Sequence, residues 1–201
     1  MLLLILMAAG SPNPVLHETQ WARLGVGSVI ETEVVAVMEV PPEWESPKGS
    51  SNGMMIMFGS LHSGTSKERF IHTLIRRNSK EVVLRLESER EGKRTVIHAE
   101  QKVPLLLEEL DPAIQRKLTM TTIGPETIKT PAGEFHTTHT RVESTGEDAA
   151  IVADTWSSVE CPVAIKEVEV SALFGGKVKS HKTTTLVRFS RAEPHTPAQV
   201  P

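Results

Sequence analysis

The residues of this chain that could do chemistry sit in a few short stretches, and spacing argues against each as a site. His136-Thr-Thr-His139 pairs two imidazoles, common zinc and copper ligands. The pair lies in a predicted strand, where side chains three positions apart point to opposite faces, so the rings cannot share one metal. Met54, Met55 and Met57 with His62 resemble a soft Cu(I) ligand set, but methionine is equally an adaptable core filler. Ser60 and His62 lie close together between Gly59 and Gly64, but the spacing differs from a nucleophile elbow and no helix follows. Gly25-Val26-Gly27-Ser28 leads into a strand, so it lacks the helix N-terminus that lets glycine loops hold phosphate. Cys161, in Val159-Glu160-Cys161-Pro162, has no basic neighbour to activate it and reads as a small buried hydrophobe. Glu108, Glu109 and Asp111 suit a solvated helix N-terminus. No catalytic, cofactor-binding or metal residue is therefore assigned, and no cofactor is implied.

The elements that would carry these residues are mostly strands. From Ser28 to Val40, Ile30, Val34, Ala36, Met38 and Val40 share one parity, and Glu31, Glu33 and Glu39 the other. A polar loop follows over Pro41–Gly53, then a short apolar strand at Met54–Phe58 and another over Arg69–Arg76. Glu81–Glu89 and Arg94–Glu100 form a hairpin across Glu91-Gly92. Leu105–Leu110 is a separate apolar segment. Asp111-Pro112 is a cap followed by a first-turn proline, which predicts a short helix over Ala113–Leu118. A β-meander completes the chain: Glu126–Thr130, Glu134–Glu143, Asp148–Trp156, Val163–Phe174 and Val178–Phe189, with turns at Pro131-Ala132-Gly133, Thr145-Gly146 and Gly175-Gly176. Two glycines between β-rich runs signal a tight hairpin turn. The parity there leaves open which face of the last hairpin is buried. So many hairpin-linked strands predict a mainly β fold: a strongly curved antiparallel sheet or partial barrel, a meander with one short helix.

Composition narrows the function. The chain has 201 residues and a net charge of −3, with five Phe, three Trp and no Tyr. It has neither the basic face of a nucleic-acid binder nor enough aromatic residues for a base-stacking platform, so no nucleic-acid partner is expected. One cysteine, Cys161, excludes an intrachain disulfide. Met1–Met7 is apolar and is followed by Ala8-Ala9-Gly10-Ser11, which reads as the end of a secretory signal; the competing reading is a strand in the core. The segment is too short to span a bilayer, so the protein is not expected to be membrane-spanning. Residues 1–14 are read as signal-like, 15–191 as a single β-rich domain and 192–201 as a disordered tail. The expected location is the periplasm or cell envelope, or the cytoplasm if the first segment is a core strand.

The most distinctive stretch runs from Ile123 to Val170. It contains Gly124-x-Glu126, Pro131-Ala132-Gly133-x-Phe135, Trp156-x-Ser158 and Pro162-Val163-x-Ile165-Lys166. This pattern resembles a motif of exported bacterial β-domains of unknown function, which are similar in turn to the half-barrel lipoprotein carriers. Trp21-Ala-Arg-Leu-Gly-Val-Gly-Ser28 resembles the approach to the first strand of such domains, and the likeness covers about the outer two thirds of the chain. It implies a curved sheet with an apolar concave side and brings no catalytic residues; no lipobox cysteine follows the N-terminal segment. In their own right, Gly133 permits a turn, Trp156 is expected to fill core volume, and Pro162 separates two strands.

The leading expectation is a non-catalytic exported domain that binds an apolar ligand, a lipid or acyl chain, in its curved sheet. One alternative is an envelope structural or protein-interaction module, meeting an envelope protein through a sheet edge or the Pro41–Gly53 loop. Another is a hydrolase with a dispersed site, which would need a nucleophile, a base and an orienting group converging in one pocket.

Overall fold

The structure, a computed structural model, describes residues 17–18, 20–42, 63–104, 106–107, 118–146, 149–173 and 175–193. The elements are β1 (His17–Glu18), a 3-10 helix (Gln20–Arg23), β2 (Val29–Glu39), β3 (Gly64–Arg77), β4 (Glu81–Arg90), β5 (Lys93–Pro104), β6 (Leu106–Leu107), β7 (Leu118–Thr130), β8 (Gly133–Thr145), β9 (Ala149–Ser157), β10 (Lys166–Leu173) and β11 (Val178–Ser190). Nine strands form one antiparallel sheet in the order β5-β4-β3-β2-β11-β10-β9-β8-β7, and β1 pairs with β6. The sheet is thus two meanders joined where β2 pairs with β11. β7 and β11 stand four places apart in this order yet approach one another, so the sheet curls without closing into a barrel.

Alternation works as expected in β2: Ile30 is buried, while Glu31 and Glu33 lie on the opposite face. The last hairpin turns at Gly175 (φ 65°) and Gly176 (φ 85°), a conformation that costs little without a Cβ. Its register sets Leu173 opposite Val178, Ala172 opposite Lys179 and Val170 opposite His181. Packing settles the face that parity left open. Val178 and Leu186 are fully buried, so their side is the inner face, and Val170 with Lys179 and His181 faces out.

The core gathers at one end of the inner face, from Ile30, Leu74, Val82, Leu84, Val103, Ile165 and Leu186, closed by Trp21, Leu24, Phe135 and the β9–β10 connection with Cys161 and Val163. Trp21 and Leu24 are pinned there by a close backbone approach. Gly25 N–H donates to Ala192 O at 2.8 Å, and Ala192 N–H to Ser28 Oγ at 2.9 Å. A Cβ on Gly25 would collide with the backbone of Ala192 and Glu193, so only glycine fits.

Several expectations change. Leu118 opens β7, so a helix does not extend to it; Asp111-Pro112 lies outside the described residues. β7 and β3 run much longer than Glu126–Thr130 and Arg69–Arg76, because polar stretches, Thr-rich in β7, pair well on a half-solvated sheet. Val163–Ile165 precedes β10: after Pro162 the chain turns inward, and Ile165 bridges Trp156 O and Leu186 N–H. Ala192 and Glu193, expected in a disordered tail, are held against Gly25 and Ser28. The loop Pro41–Gly53 beyond Pro42 and the strand Met54–Phe58 lie outside the described residues.

Candidate functional site

The strand alternation that separates His136 from His139 is observed. His136 is exposed beside Thr127, with its Nδ1 3.2 Å from the hydroxyl; His139 is buried on the other face of β8. The pair is not a metal site, and among the described residues no group of His, Cys, Asp or Glu is placed to hold one.

His139 instead centres a polar cluster on the outer face that the sequence reading missed. Its Nδ1 lies 3.2 Å from Glu126 Oε1 on β7, and its Nε2 lies 2.9 Å from Asp154 Oδ1 on β9. Carboxylates only accept, so both hydrogen bonds form together only when the ring carries both protons. Arg141 grips Asp154 with Nε at 3.0 Å and Nη2 at 2.8 Å. Trp156 Nε1 donates to Glu126 Oε2 at 2.7 Å. The indole stacks on His139, centroids 4.2 Å apart, and Lys166 Nζ lies 5.1 Å from its ring centroid. The Trp156 hydrogen bond, followed by that from His139, holds the Glu126 carboxyl below its ordinary value, and Arg141 does the same for Asp154. Trp156 therefore does not fill the core. It is half-buried on the outer face, because its NH finds its partner on the edge strand.

The cluster fastens β7 to β9 and β10. It is a poor catalyst, since both nitrogens of its histidine are occupied by carboxylates. Cys161 is buried and its thiol is pushed up to about 11 by that burial, far from an active thiolate. Ser60 and His62, with Met54, Met55 and Met57, lie outside the described residues, as do Glu108, Glu109 and Asp111.

A second polar group lies on the inner face. Glu167 is only 1% exposed, near the start of β10, opposite Thr155 on β9 and Thr184 on β11. Lys182 Nζ sits 2.7 Å from Glu169 Oε2 and 3.5 Å from Glu167 Oε1. Neither Glu167 oxygen has a hydrogen bond, and the buried Oγ1 of Thr155 has none either. Burial pushes the Glu167 carboxyl up. For the Lys182 ammonium, burial works downward but the two carboxylates outweigh it and hold it above its ordinary value. No sequence signal marks this group. The alternation in Lys166-Glu-Val-Glu-Val-Ser171 does not say which parity is buried; in the fold Val170 is 51% exposed and Glu167 is buried. His72, half-buried, also lies on this face, paired in register with Ile30 and Leu86; its buried Nδ1 has no hydrogen-bond partner. Burial lowers it to about 4.

No family model matches the chain, and no curated protein matches it. Among solved structures, it is similar to a Bacteroides fragilis protein thought to be exported and given a YmcC-like fold. That match has a TM-score of 0.43 and 10% identity, and covers 84% of this chain and 97% of the other.

Proposed function

We propose that this chain is a non-catalytic, exported binding domain that holds an apolar ligand, a lipid or acyl chain, against the inner face of its curled sheet. The observation that carries this reading is the unequal filling of that face. Core side chains crowd one end, around Ile30, Leu74, Leu84 and Leu186. Toward the other end Val34, Ala36 and Met38 of β2 and Ile151 of β9 share the same face but remain partly exposed, beside buried Ala153 and Val178. Apolar surface left open on the inside of a curled sheet suits an apolar guest. Export rests on the signal-like segment Met1–Ser11.

Organic extraction of the purified full chain followed by mass spectrometry tests the reading. Lipid should co-purify in a stoichiometric amount, and Met38→Glu should abolish it while leaving the melting temperature within a few degrees. Wild-type protein that carries no lipid and takes none up from vesicles would overturn it.

A further inference from the structure

Strand β10 buries the parity that carries its glutamates. Val168, half-buried, and Val170, exposed, lie on the outer face, and the glutamates at positions 167 and 169 lie on the inner face. A buried carboxylate is costly unless it is paired and hydrogen-bonded. Glu167 is neither fully paired nor hydrogen-bonded. Its one cation, Lys182, leans toward Glu169, which it hydrogen-bonds at 2.7 Å, and stands at 3.5 Å from Glu167. The two carboxylates and one ammonium carry a net charge of −1. Beside them the Thr155 hydroxyl, opposite Glu167 in register, has no hydrogen-bond partner.

We propose that Glu167, Glu169 and Thr155 form a seat for a primary ammonium group on the ligand, and that the Lys182 ammonium occupies this seat when no ligand is bound. An ammonium carries three donors, and the seat offers three acceptors on adjacent strands. Lys182 reaches the seat from β11 and makes only one hydrogen bond there. Its side chain is 31% exposed, so a flexible stem can swing the head into water and yield the seat to a better-placed amine. The net negative charge selects against anionic head groups. This inference rests on the inner face being the ligand-binding face. It adds that the guest has a cationic amine at its polar end, as in an amino-lipid or alkylamine.

The test uses the full chain, n-hexylammonium as probe and hexanoate as control, followed by calorimetric titration. Lys182→Ala, which empties the seat, should bind hexylammonium about ten-fold more tightly than wild type, and adding Glu167→Gln should reverse that gain. Hexanoate should show no preference among the three proteins. Equal hexylammonium affinity in Lys182→Ala and Lys182→Ala/Glu167→Gln, or hexanoate bound as tightly, overturns the proposal. If Lys182→Ala does not fold, NMR of wild type serves instead. Hexylammonium must then shift the Lys182 side-chain resonances toward those of a solvated lysine, and unmoved resonances overturn the proposal. Failure here with lipid still co-purifying refutes only the ammonium seat. Ammonium binding with no lipid in the extract refutes only the acyl-chain reading.

Discussion

Two ionisable residues on the inner face, buried Glu167 and half-buried His72, respond to pH in opposite ways. Burial raises the Glu167 carboxyl, so as pH rises the unfolded chain ionises this residue first. Its contribution to stability is therefore full below the unfolded carboxylate value and lost as pH climbs through the raised folded value. Glu167→Gln removes the penalty while Lys182 keeps its hydrogen bond to Glu169. Chemical denaturation at pH 7 should show the variant more stable by about 1 kcal/mol, with the gain vanishing in acid; a destabilised variant at pH 7 would mean that the Glu167–Lys182 attraction outweighs burial. His72 works in the other direction. Burial holds it at about 4, so between the ordinary histidine value and that point only the unfolded chain takes up the proton. Stability should fall as pH drops from about 6.5 to about 4, by up to about 3 kcal/mol. His72→Leu should flatten that acid limb in a series of urea titrations, and an unchanged slope would assign the acid loss to other groups.

At the scale of elements, bulges interrupt the edges of the sheet as well as its middle, where β3 is bulged between Leu74 and Arg76 and β11 between Leu186 and Arg188. Both edge strands are bulged: β7 between Thr122 and Gly124, and β5 opposite Leu84 to Glu87. Bulges blunt an edge against pairing with another chain. Edge strand β7 is also tied across β8 to β9 by His139, which bridges Glu126 and Asp154, and by the Trp156 hydrogen bond to Glu126. His139→Gln cannot donate to both carboxylates in this geometry, and it loses the stacking on Trp156. It should cost about 1 kcal/mol, with faster amide exchange concentrated in β7 and little change in β2 to β4. Uniform acceleration across the sheet would mean that the cluster is no local latch. The hairpin β10–β11 shows how packing chooses between two faces that parity leaves open. Val178 and Leu186 must face the core, and the turn at Gly175-Gly176 couples β10 to β11 in fixed register, so Glu167 is carried inward although Val168 and Val170 alternate with it.

For the whole molecule, the decisive joint is between β2 near the start of the sheet and β11 at its end. Their pairing joins the N-terminal meander β2–β5 to the C-terminal meander β7–β11, and Leu186 lies at that seam, fully buried in the core. Leu186→Ala should lower the unfolding free energy by about 2–5 kcal/mol, read as a shifted urea midpoint with an unchanged slope. A change in slope would indicate that the two meanders come apart separately. The amino-acid sequence by itself determined what depends on near neighbours: strand-rich periodicity, the turns at Glu91-Gly92, Pro131–Gly133 and Gly175-Gly176, the separation of His136 from His139, and the inertness of Cys161. Such features follow from parity, from φ preferences and from the character of one side chain. The tertiary structure alone decided which face of β10–β11 is buried, that Trp156 lies outside and Trp21 inside the core, and that Glu126, His139 and Asp154 meet. The same holds for Glu167, Glu169, Lys182 and Thr155. These residues come together through strand order and register, which are set by the summed burial of the whole sheet, and no local pattern carries that information.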